Sequence, residues 1–143
     1  MRALFDVNML LALFDPVHVH HRVAMSWWAD NRASGWASCP ITQNGFLRIA
    51  SQLSYTSPMP LPEAMRTFEA QVAKGGNEFW PDDLSILDDA HIDHTRLLGP
   101  RQLTDVYLLA LAVKHGGRLV TLDHSISFKA ARGASEANLV AVI

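Results

Sequence analysis

The sequence predicts an α/β domain built on a parallel sheet. Three observations lead there. Short apolar runs alternate along the chain with longer stretches of helical spacing, and this alternation generates parallel strands with helices over both faces. The 143 residues contain no internal repeat or linker and suit one domain with a single sizeable core, residues 1–143. Aspartates also stand at the ends of the predicted strands, where open α/β sheets build their ligand crevices.

Residues 3–5 are apolar and end at Asp6, as a buried strand would. Residues 7–14 then read as a helix stopped by Asp15-Pro16, and residues 18–31 as a second helix with Val23, Trp27 and Trp28 on its apolar face. A second strand is expected at residues 36–38, closed by Pro40. Thr42 can cap a helix over residues 43–53, where Phe46, Leu47, Ile49 and Leu53 roughly follow a helical period. Residues 54–62 hold three prolines and read as a loop. A helix is expected at 63–74, ended by Gly75-Gly76, followed by a short strand at 78–80 and another helix at 85–95. Thr104 is a good N-cap for a helix over 105–115, which Gly116-Gly117 ends. Strands at 118–122 and 139–143 complete the order.

Composition bounds the function only loosely. A net charge of -2 gives no overall basic signal for nucleic acid, although an acidic site can offset a local basic patch. The single cysteine, Cys39, cannot form a disulfide within the chain, which fits a reducing cytoplasm. The apolar stretch from Met9 to Phe14 is too short, and too closely preceded by Asp6 and Asn8, for a signal peptide. Nothing approaches a membrane span, so a cytoplasmic location without membrane association is expected.

The informative residues are Asp6, Asp105 and Asp123. Each has an ordinary explanation alone: a cap, a first-turn acid facing the helix dipole, a turn residue. Together they fall on one edge of the sheet, because strand C-termini and helix N-termini share that edge. Carboxylates brought close repel unless protons or a cation offset them. A hard divalent ion such as Mg²⁺ or Mn²⁺ takes oxygen ligands and suits such a cluster. Metal-dependent phosphodiester chemistry is therefore the expected activity.

Four motifs in order carry a resemblance over essentially the whole chain: LFDVNMLLAL from Leu4, ITQNGFLR from Ile41, LTDVYLLALA from Leu103 and LVTLD from Leu119. The chain resembles a PIN-domain ribonuclease, a VapC-type toxin of a VapBC toxin–antitoxin system. The resemblance implies a three-layer α/β/α sandwich with a central parallel sheet of four to five strands. It also implies a Mg²⁺- or Mn²⁺-dependent endoribonuclease that cuts tRNA or rRNA and so inhibits translation. The implied partners are a VapB-like antitoxin, the RNA substrate and a second copy in a homodimer. Asp6, Asp105 and Asp123 match the family's acidic metal positions; Asn8 and Thr121 match polar positions that support them.

Gln43 departs from the pattern, since many PIN nucleases carry glutamate there. Three aspartates are expected to suffice, with Gln43 near the cation's hydration shell or the RNA. Asp82 or Asp83 could otherwise substitute, or catalysis could be weakened, leaving an RNA-binding or interaction module as the alternative function. Arg48, Arg96 and Arg101 are candidate phosphate contacts, and solvated surface arginines in the plainer reading. His18, His20 and His21 lack a further ligand at helical spacing and are expected to be polar residues near the rim of the site rather than zinc ligands. Trp27, Trp28 and Phe46 are expected in the core or a dimer interface, and Cys39 as a small buried hydrophobe. A haloacid-dehalogenase-type phosphatase would require a second aspartate where Asn8 stands, and the acidic pattern of a receiver domain is absent.

Overall fold

The computed structural model describes residues 1–143. Its centre is a five-stranded sheet, entirely parallel, in the order β3-β2-β1-β4-β5. The strands are β1 (Ala3–Phe5), β2 (Trp36–Ser38), β3 (Asn77–Phe79), β4 (Arg118–Thr121) and β5 (Leu139–Ala141). The chain fills one side of β1 with β2 and β3, then crosses to the other side for β4 and β5. The β1–β4 seam is thus the place where strand order reverses, and crevices in open α/β sheets form at the C-terminal end of such a seam.

The alternation of side chains along a strand sorts the core into two layers. Leu4, Ala37 and Leu119 face α5 (Leu103–Lys114), whose Leu108, Leu109 and Leu111 are fully buried. Each such leucine contributes roughly 1.5–3 kcal/mol by leaving water. Ala3, Phe5, Trp36 and Val120 face the opposite layer, made by α1 (Val7–Phe14), α2 (His21–Asn31), α3 (Pro40–Ala50) and α4 (Leu61–Ala73). Met9 to Leu13 of α1 are buried in the chain's own core, as is Phe46, while Trp27 and Trp28 pack edge-on against Phe5. Cys39 is fully buried. No helix is long and apolar enough to cross a membrane.

Several boundaries differ from expectation. α3 begins at Pro40, not after Thr42: proline suits a first turn that needs no N–H donor, and Cys39 takes the cap position. Thr42 still serves the cap, from inside the helix, because its hydroxyl accepts from the Cys39 N–H at 3.0 Å. α4 likewise starts at Leu61, with Pro62 in its first turn, so the expected loop ends two residues early. α2 starts at His21, and β3 spans Asn77–Phe79. α5 starts at Leu103, continuing from a 3-10 turn at Pro100–Gln102, so Thr104 is a first-turn residue and not the cap.

The helix expected at 85–95 is absent. Ser85, Asp88 and Asp93 each accept a bond from the backbone N–H two residues on, at Leu87, Ala90 and Thr95. These local turns compete with a helical ladder. The segment is tied instead to residues 130–132, through an isolated bridge between Ile92 and Ala131.

Candidate active site

Asp6 follows β1 and caps α1. Its Oδ1 accepts from the Met9 N–H at 2.8 Å, and its Oδ2 accepts from the Thr121 hydroxyl at 2.5 Å. Thr121, the last residue of β4, is fully buried, and its Oγ1 also accepts from the Asp123 N–H at 3.0 Å. One hydroxyl thus joins the ends of the two strands at the seam. Asp123 lies exposed just beyond β4, with both carboxylate oxygens engaged by Ser125: Oδ1 by the N–H and Oδ2 by the hydroxyl, each at 2.8 Å. Asp105 stands in the first turn of α5, half-buried.

The charges of these groups act on one another. Burial pushes the Asp6 carboxyl up to about 6, with Asp105 and Asp123 adding to the rise against the pull of its hydrogen bonds. Burial raises Asp105 too, and Asp123 raises it further. Asp123 is lowered, first by the Ser125 backbone N–H and then by the Ser125 hydroxyl. The three predicted aspartates therefore share one edge and feel each other, and none forms an ion pair with Lys, Arg or His. As the side chains stand, no three acidic, histidine or cysteine groups converge closely enough to grip an ion unaided. Carboxylates that share an edge with no lysine or arginine paired to them fit a hard divalent ion that keeps several waters and takes few protein ligands. Asp6, Asp105 and Asp123 are the residues that would hold it.

Gln43, near the start of α3, turns its amide toward the end of β2. Its Nε2 donates to the Ser38 hydroxyl at 3.1 Å, and Asn77 Nδ2 donates to the same oxygen at 3.4 Å. Ser38 shares the sheet face of Trp36, whereas Asp6 and Thr121 continue the alternation of Leu4 and Leu119 on the α5 side. Neither fallback acid stands in for a fourth carboxylate at the seam. Asp83 pairs with Lys114 and His115 at the other end of α5, 3.5 and 3.1 Å away, and Asp82 lies beside Cys39 and Asp83. Asn8 is exposed on the first turn of α1. Arg101, exposed on the turn leading into α5, is four residues from Asp105; Arg48 occupies the last turn of α3, and Arg96 is drawn toward Asp93 at 3.9 Å. The histidine loop is not at the rim: it hangs from the C-terminal end of α1, where His21 Nδ1 meets the Ala12 carbonyl.

Two partnerships escaped the sequence reading, Ser125 with Asp123 and Ser38 with Gln43. The first has a local signal, since aspartate followed two residues later by serine favours a side-chain turn. The second joins residues on β2, β3 and α3 and has none.

A family model for the PIN domain matches residues 3–133. Ribonuclease VapC44 of Mycobacterium tuberculosis is 50% identical over 139 residues, 97% of this chain and 98% of that protein. The chain belongs to the PIN-domain family, among its VapC-type ribonuclease toxins. Ribonuclease VapC39 of the same organism is 39% identical over 95% of this chain and 99% of its own. The VapC-type fold recurs in two solved structures. One is VapBC2 from Rickettsia felis bound to a DNA fragment from its promoter (TM-score 0.61, 13% identity, 99% of this chain and 97% of that one). The other is Mycobacterium tuberculosis VapC20, described as a sarcin-ricin loop cleaving toxin (TM-score 0.62, 12% identity, 95% and 98%).

Proposed function

We propose that this VapC-type chain is a Mg²⁺- or Mn²⁺-dependent endoribonuclease toxin. It hydrolyses tRNA or rRNA to inhibit translation, acts in the cytoplasm as a homodimer, and is neutralised by a VapB-like antitoxin. The observation that carries the reading is the group of Asp6, Asp105 and Asp123 at the β1–β4 seam, coupled to one another and with no lysine or arginine paired to them. When bound, a divalent cation supplies positive charge for the reacting phosphate and makes water a better nucleophile at neutral pH.

The chain's own residues do the rest. Thr121 holds Asp6 to the end of β4 and so fixes the spacing between Asp6 and Asp123. The α5 backbone carries Asp105 to the same edge. Arg101, beside that helix start, contacts RNA phosphate and aligns the strand; Arg48 and Arg96 are further candidates. In-line attack of water on the scissile phosphate leaves 5′-phosphate and 3′-hydroxyl ends.

The test is incubation of the purified protein with total tRNA and rRNA, followed by mapping of the new ends. Cleavage with 5′-phosphate and 3′-hydroxyl termini, dependent on Mg²⁺ or Mn²⁺, is expected. RNA binding without cleavage under both ions would contradict the proposal and favour a non-catalytic binding module. Co-purification with the product of an adjacent small gene tests the antitoxin.

A further inference from the structure

Asp123 is the odd member of the acidic group. Asp6 is buried, and Asp105 is carried by a long helix, but Asp123 is exposed in the loop between β4 and the 3-10 turn at Phe128–Ala130. An exposed aspartate in a loop ordinarily samples several rotamers, and a ligand that must first be ordered binds more weakly. Here both ends of the residue are fixed. Its N–H is held by the buried Thr121 hydroxyl, and both carboxylate oxygens are held by Ser125. Ser125 is itself anchored, because the next side chain, Ile126, is buried in the α5-side core. Asp123 is thus stretched between two buried points, Thr121 and Ile126. A carboxylate offers about four acceptor positions, and two bonds from Ser125 leave the others free.

We propose that Ser125 is a positioning residue for the cation site, limiting the rotamers of the Asp123 carboxylate so that less order has to be gained when it ligates. The proposal rests on Asp123 being a cation ligand. Outer-shell partners of this kind typically contribute 10–100-fold to metal affinity. Ser125 offers two donors, and only the hydroxyl depends on the side chain, so Ser125→Ala removes half of the hold. Ser125→Thr keeps both donors. Ser127 accepts a bond from the Lys129 N–H in the same loop without touching Asp123, and Ser127→Ala serves as the control.

The experiment is Mn²⁺ binding to the full chain, followed by electron paramagnetic resonance, together with the side-chain ¹³C shift of Asp123 in metal-free protein. Ser125→Ala should bind Mn²⁺ about tenfold more weakly, at the lower end of that outer-shell range. It should also shift the Asp123 resonance, with the melting temperature essentially unchanged because residue 125 is exposed. Ser125→Thr should restore both signals, and Ser127→Ala should move neither. Equal or tighter Mn²⁺ binding by Ser125→Ala, an unmoved Asp123 resonance, or an equal loss in Ser127→Ala overturns the inference while leaving the site reading intact. A wild-type protein that binds no Mn²⁺ overturns the site reading and the inference with it.

Discussion

The C-terminal edge of the sheet has two halves built on different electrostatics. At the β1–β4 seam, Asp6, Asp105 and Asp123 gather acidic groups, and Thr121 ties two of them together. At the end of β2, Gln43 and Asn77, the latter from the first residue of β3, both donate to the Ser38 hydroxyl and form a neutral group. The neutral group is free of charge repulsion among its own members. The acidic half is not, since burial and mutual repulsion push Asp6 up to about 6. Stored repulsion of this kind marks a site that gains from a ligand, and it is the ground on which the acidic half is proposed to carry the chemistry.

The largest effects should follow from breaking the acidic half. Asp6→Asn and Asp105→Asn are expected to lower RNA cleavage by more than the 10–100-fold typical of outer-shell changes, with the fold retained by circular dichroism. Asp6→Asn should also stabilise the protein in chelator. The native carboxyl keeps its proton up to about 6, while the unfolded one releases it near 3.8. Wild-type stability therefore falls across that window as pH rises, and the loss is complete above it. The gap between Asp6→Asn and wild type should be near zero at pH 3.5 and grow to the order of 3 kcal/mol by pH 7.5, measured by urea denaturation. A gap independent of pH would mean that Asp6 carries no such strain.

Thr121→Val removes the hydroxyl that bridges Asp6 and Asp123, and cleavage should fall about 10–100-fold, with Thr121→Ser close to wild type. Equal activity of the valine variant would separate the bridge from the chemistry. Gln43→Glu probes the neutral half. Mg²⁺ affinity measured by calorimetry should stay within about threefold of wild type, less than the roughly tenfold or larger change seen when a group that supports a metal is altered. Markedly tighter binding would instead place residue 43 at the cation. Arg101→Ala should have the smallest effect, lowering the salt slope of RNA binding by about one phosphate contact. An unchanged slope removes Arg101 from the RNA path.

The same contrast explains what was legible in the sequence. The strands and the alternating order were readable because buried parallel strands appear as short apolar runs, and β2 matched its expected span residue for residue. Asp6, Asp105 and Asp123 were readable because strand ends and helix starts fix backbone position whatever the side chains then do. The role of Gln43 was not readable, since its partner Ser38 is in another element and its direction depends on which sheet face Ser38 occupies. The missing helix at 85–95 failed for a local reason, side-chain turns at Ser85, Asp88 and Asp93 that outcompete a helical ladder. The histidine loop failed for a topological one, as α1 carries it away from the edge where Asp6 lies.

The central claim is that the β1–β4 half of this edge works through a divalent cation and the β2–β3 half does not. The most direct measurement is RNA cleavage across a Mg²⁺ titration for wild type, Asp105→Asn and Gln43→Ala. Wild type and Gln43→Ala should cut only with the ion and stop with chelator, and Asp105→Asn should stay inactive at every concentration. Cleavage by Asp105→Asn at the wild-type rate, or by wild type in chelator, would contradict the claim.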